Sequence, residues 1–186
     1  MSFDIRQMTI VSIFTSLTIG VAVFTRFSAS IIPFSMLPLM VMLAGNILGS
    51  KMGFLSMLLY LFVGMIGIPA FASPPYGGLA YVTQPSFGFL IGFIFAAYVI
   101  GRISERGDSK LRTYFIANIM GMLVINFFGL VYFWLLYNYI LGEPISFAQV
   151  FKIGAMPFLI PDLIKSIIAS FLGLNIRKRL QLFVSL

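Results

Sequence analysis

Charged side chains interrupt this sequence only at wide intervals, and the apolar runs between them approach twenty residues, the length that crosses a hydrocarbon core. This spacing constrains the fold more than any other feature. Inside a bilayer each backbone amide needs an internal partner, so apolar runs of this kind form helices. Charges and turn residues mark off six segments: about Met8 to Phe27, Met36 to Leu48 (short), Met52 to Ile68, Ser86 to Ile103, Tyr114 to Leu141 and Phe147 to Asn175. Only 9% of the 186 residues are charged, against roughly 25% in soluble domains. The expectation is an all-α membrane protein of six transmembrane helices, a single integral membrane domain over residues 1–186 with no room for a soluble catalytic unit.

Lysine and arginine in short loops set the orientation. Arg6, Lys51, the group Arg102, Arg106, Lys110 and Arg112, and the terminal Arg177, Lys178 and Arg179 fall on one side of six spans, whereas Arg26 and Lys152 fall on the other. Both termini are therefore expected in the cytoplasm. The net charge of +7 reads as this topology signal, and no nucleic-acid partner is expected. The N-terminal residues lack a signal-peptide cleavage pattern, so the first apolar segment reads as a span.

Several chemistries drop out. Without Cys or His there are no disulfides, no thiolate nucleophile and none of the usual zinc sites, so neither a metal nor a cofactor is expected. No G-x-x-x-x-G-K-[ST] occurs, and the chain has no P-loop with which to hydrolyse ATP. No nucleophile stands beside a base, and an enzyme is not expected.

Three constellations remain. The uncharged stretch "IPAFASPPYGGLAYVTQPSFG" mixes aromatics, prolines and glycines. Irregular backbone at membrane depth is tolerated where it is buried or lines a cavity, so this stretch reads as a lid or binding loop, with N–H groups there or near Ser86 able to hold an anion. The alternative is a loop packed on the outer leaflet. In "SIFTSLTIG", Ser12, Ser16 and Gly20 recur every four residues and form a small-residue face suited to close helix approach, whether by a partner or by another helix of this chain. In "FLIPDLIKSII", Asp162 and Lys165 lie three apart and share a helical face. Either charge alone at the bilayer centre costs about 2.5–3.5 kcal/mol on insertion scales, which makes the pair a functional-site candidate. Pro157 and Pro161 should break the segment just before it, placing Asp162 in the first turn of a half-helix, where negative charge is favourable. A carboxylate beside an ammonium suits a neutral group carrying N–H and C=O together, such as a ureido ring, or a ligand carboxylate facing the lysine. A self-satisfied ion pair at the kink is the competing reading. Asn118, Asn126 and Tyr60 read as interhelical or interfacial polar groups.

From about Pro33 to Lys165 the sequence resembles the BioY family, the biotin-specific substrate-binding (S) components of energy-coupling factor (ECF) transporters. "PFSMLPLMVMLAGNILGSKMGFLSMLLYLFVGMIGIPAFA" looks like the family's P-F-T-x-Q start and the glycine-punctuated helices that follow; "GGLAYVTQPSFGFLIGF" is similar to its G-G…G-P-T-x-G-[YF] region, and "MPFLIPDLIKSIIA" to its F-x-P-x-D-x-x-K segment. The resemblance implies a six-helix S-component bundle with a long ligand-covering loop between helices 3 and 4. It also implies a bacterial plasma-membrane location, biotin as transported ligand, and as partners a membrane coupling (T) subunit and two cytoplasmic ATPases. Asp162 and Lys165 match the family's ligand-contacting pair, and Tyr76, Gly77, Gly78 and Gln84 its lid and ligand-lining region. Ser12, Ser16 and Gly20 resemble the A-x-x-x-A docking motif. Leu37, Gln84 and Ser86 depart from the glutamine, glycine and threonine of the family pattern.

The expected function is thus biotin capture. The heterocycle would lie near Asp162 and Lys165, the carboxylate against loop amides, and the ring and chain against Phe71 and Tyr76. The alternatives are an S component for thiamin or riboflavin, and a non-transporting membrane scaffold.

Overall fold

The structure, a computed structural model, describes residues 4–28, 35–108 and 110–184, and among these there is no strand. Pro33 and Phe34, which open the first stretch of the resemblance, lie outside the described residues. The helices are α1 (Ile5–Ser28), α2 (Leu37–Leu43), α3 (Gly49–Met65), α4 (Phe87–Arg106), α5 (Leu111–Leu135), α6 (Phe147–Gly154) and α7 (Leu159–Val184). Large apolar side chains such as Leu17, Phe24, Phe127, Ile160 and Phe171 are exposed. Outward-facing apolar groups are what a bundle bathed in lipid presents, and with the apolar spans they make this a multi-pass membrane protein.

Among the described residues five helical stretches, not six, are long and apolar enough to cross a membrane: Ile5–Arg26, Leu37–Met65, Phe87–Arg106, Leu111–Ile140 and Phe147–Arg177. The difference lies in the expected second and third segments, which form one stretch that doubles back. After α2 the chain passes through a π-helical turn, Ala44–Leu48, to Gly49, whose φ of 82° and ψ of −175° lie in a region that glycine adopts at no steric cost. A Cβ on Gly53 would lie 3.1 Å from the Ala44 carbonyl oxygen, whereas nine residues of straight helix extend about 13 Å. The arm before the reversal has seven α-helical residues and five in the π-turn. At about 1.5 Å per residue it cannot cross a core about 30 Å thick by itself.

The reversal is fastened to α4. Glu105 accepts the Ser50 backbone N–H at Oε1 and the Ser50 hydroxyl at Oε2, both at 2.7 Å, giving α3 a negative group at its N-terminus from a neighbouring helix. Gly101 lets the backbones touch here, since a Cβ on it would overlap the Ser50 amide. Deeper in the bundle, buried Asn46 donates to Asn118 Oδ1 at 2.9 Å and accepts from the Ser104 hydroxyl at 2.9 Å. Asn118 donates in turn to Ser170 Oγ at 3.0 Å and to the Ser166 carbonyl at 3.2 Å. One polar knot thereby joins the π-turn, α4, α5 and α7, and Asn118 serves interhelical bonding. The last span is broken as its prolines require: α6 ends at Gly154, a 3₁₀ turn covers Met156–Phe158, and α7 begins two residues before Pro161.

A candidate ligand cavity

α7 brings the two charges to their place. The break at Pro157 restarts the helix so that Asp162 falls in its first turn, and one turn on, Lys165 donates to Asp162 Oδ1 at 2.7 Å. Asp162 is 8% exposed and Lys165 6%. Both line a cavity of about 440 Å³ that is bounded also by the start of α2, the loop after α3, and parts of α4, α5 and α6. Phe89, Leu90, Phe93, Ile125, Phe133 and Phe158 supply apolar wall. A mostly apolar recess of this size with a few convergent polar groups has the character of a small-molecule site. The pair offers a donor and an acceptor side by side, and among the described residues nothing else charged lies on the wall.

Ser86, at the head of α4, also lines the cavity. Its hydroxyl is 2.9 Å from that of Tyr81, which is 2.7 Å from the hydroxyl of Ser73. Tyr81 and Ser73 are wall residues too, and sequence reading missed both; their one signal is membership of the uncharged loop. Asn126 reaches the wall while its amide donates to the Met122 carbonyl at 2.9 Å.

The other loop residues singled out from sequence are not on the wall. Phe71 is fully buried behind it: its ring fills the notch left by Gly64, packs edge-on against Tyr60 at 5.8 Å, and lies 4.3 Å from the ring of Tyr81. Tyr76 lies outward under the Arg26 guanidinium, 4.5 Å from its ring centre. Four of the loop amides are committed within the protein: Phe71 N–H donates to the Tyr76 carbonyl, Tyr76 N–H to Ser73, Gly78 N–H to Gly64 and Gln84 N–H to Tyr81. Gly77 lies so close to the end of α3 that a Cβ would overlap the Ile68 carbonyl, and Gln84, half-buried, is not one of the wall residues. Arg26 fastens this loop to α1 by donating to the carbonyls of Phe71 (3.0 Å) and Pro69.

Ser12, Ser16 and Gly20 lie together in a shallow outward groove with Ile13, Leu17 and Phe24. No helix of the described chain fills it, and a Cβ on Gly20 would meet open space.

The sequence profile of the BioY family matches residues 1–182. A probable biotin transporter BioY of Lysinibacillus sphaericus is 34% identical over 92% of this chain and 87% of its own length. One of Pyrococcus horikoshii is 34% identical over 87% of this chain and 90% of its own, and the biotin transporter BioY of Thermotoga maritima 31% identical over 93% and 96%. The crystal structure of the S component for biotin from an ECF-type ABC transporter superposes with a TM-score of 0.74 at 21% identity, covering 94% of this chain and 92% of that one. Every element that frames the cavity lies within or overlaps the residues the profile matches, and the chain belongs to the BioY family.

Proposed function

We propose that this chain is the biotin-capturing subunit of an ECF-type vitamin uptake transporter. The observation that carries the reading is the buried Asp162–Lys165 pair on the wall of an otherwise apolar cavity. The ureido ring of biotin offers N–H groups and a carbonyl in one plane, and so complements a carboxylate beside an ammonium. The thiophane ring and aliphatic chain fit the phenylalanine-rich wall. Phe71, Tyr76, Gly77, Gly78 and Gln84 act behind the wall, as the packed body of a lid. The subunit binds and does no chemistry of its own; transport is driven by a membrane coupling subunit that docks on the Ser12, Ser16 and Gly20 face, together with two cytoplasmic ATPases. The protein sits in the plasma membrane with both termini in the cytoplasm, in keeping with the distribution of lysine and arginine.

Binding of radiolabelled biotin to the purified protein tests the reading. Asp162→Asn and Lys165→Ala should each weaken binding by about 100-fold, the loss of a hydrogen bond to a charged group, and excess thiamin or riboflavin should fail to compete. Unchanged affinity in both variants would refute the role of the pair.

A further inference from the structure

The serine heading α4 does not do what a serine there ordinarily does. At a helix N-cap the hydroxyl ordinarily accepts from a backbone N–H of the first turn and stabilises the helix. Ser86 makes no such bond; its hydroxyl is turned to Tyr81, and through Tyr81 to Ser73. All three residues line the cavity, and Tyr81 is only 2% exposed. A forgone cap beside a cavity is the kind of local inconsistency that marks a functional position.

The protons can be counted. Three hydroxyls carry three protons, and the two bonds between them use two. Among the described residues these hydroxyls make no other side-chain hydrogen bond, so the third proton is left for an acceptor in the cavity. The line has two senses, and an acceptor close to Ser86 selects the one in which Ser73 donates to Tyr81, Tyr81 to Ser86, and Ser86 to the acceptor; each bond polarises the next. The outermost donor then stands at the N-terminus of a helix of 20 residues, whose dipole favours negative charge.

We propose that Ser73, Tyr81 and Ser86 form a hydroxyl relay that recognises the carboxylate of the ligand, opposite in role to the Asp162–Lys165 pair, which takes the ureido ring. This deepens the reading of biotin capture and rests on it. It also assigns the carboxylate to hydroxyls instead of the expected loop amides, of which those of Phe71, Tyr76, Gly78 and Gln84 are bonded within the protein.

The test compares biotin with biotinol, the same molecule with its carboxylate reduced to a primary alcohol, on the purified full chain. Wild type should prefer biotin by at least tenfold. Tyr81→Phe keeps the ring against Phe71 while removing the middle hydroxyl, and Ser86→Ala removes the terminal donor; both should lose most of that preference by binding biotin more weakly, with biotinol affinity nearly unchanged. Asp162→Asn should weaken both ligands alike and keep the preference. A wild-type preference retained in Tyr81→Phe and Ser86→Ala overturns the relay, as does an equal loss for both ligands. Failure of the wild type to bind biotin at all overturns the underlying reading and the relay with it.

Discussion

Removing one member of a buried ion pair leaves the other charge without compensation, at a cost of about 3–5 kcal/mol, whereas replacing both by neutral groups of similar shape is often neutral or stabilising. Asp162 and Lys165, each under a tenth exposed and 2.7 Å apart, meet the conditions for that contrast. Lys165→Met should therefore lower the unfolding temperature in detergent by several degrees, and Asp162→Asn with Lys165→Met together should recover most of it. Biotin binding should be absent from the double variant. Recovered stability with recovered binding would make the pair structural only, so thermal unfolding and ligand binding measured side by side decide the matter. The pair was legible in the sequence because two charges stand out in an apolar run. The hydroxyl relay was not, because serine and tyrosine in a loop give no periodic signal, and the folded loop alone aligns Ser73, Tyr81 and Ser86. Phe71 reads as a ligand-facing aromatic for a related reason: a phenylalanine among glycines and prolines looks the same whether its ring turns to a ligand or into the notch at Gly64.

Among the elements, the broken last span follows from Pro157 and Pro161, which cannot continue the backbone ladder. The fold-back at Gly49 does not announce itself, since glycines in apolar segments commonly serve helix packing, as Gly101 and Gly53 do here. Only the combination with Ser50 and Glu105, distant in sequence, marks it as a turn. Gly49→Ala should destabilise the protein by about 1–3 kcal/mol, the cost of a side chain in a backbone region that is essentially glycine's alone, with more added by its overlap with the Glu105 carboxylate; chemical or thermal unfolding measures it. The α3–α4 loop leads to a different expectation. Arg26 holds it through two carbonyls and the face of Tyr76. Arg26→Gln should leave the cavity wall intact yet release bound biotin about tenfold faster, in line with the loss of roughly one charge-assisted hydrogen bond. Ligand washout kinetics report this directly, and an unaltered release rate would show that the loop does not cover the bound ligand.

At the scale of the molecule, the cavity and the small-residue groove are separate features carried by one bundle. The inner face of α1 packs on α3, where Thr15 donates to the Ser56 carbonyl at 3.1 Å, while Ser12, Ser16 and Gly20 look outward. Gly20→Leu should consequently leave biotin affinity within about twofold, as expected of a surface change. It should also prevent co-purification with the proposed coupling subunit and ATPases; a complex that still assembles would overturn the proposed docking face. Composition alone specified a polytopic membrane protein, but not the shape of its interior. One edge of that shape belongs to the short arm Leu37–Leu48. Its first residues, Leu37 and Pro38, border the cavity. The helix of this arm starts at the rim of the recess, so a guest would be seated against the first turn of a column instead of along its flank.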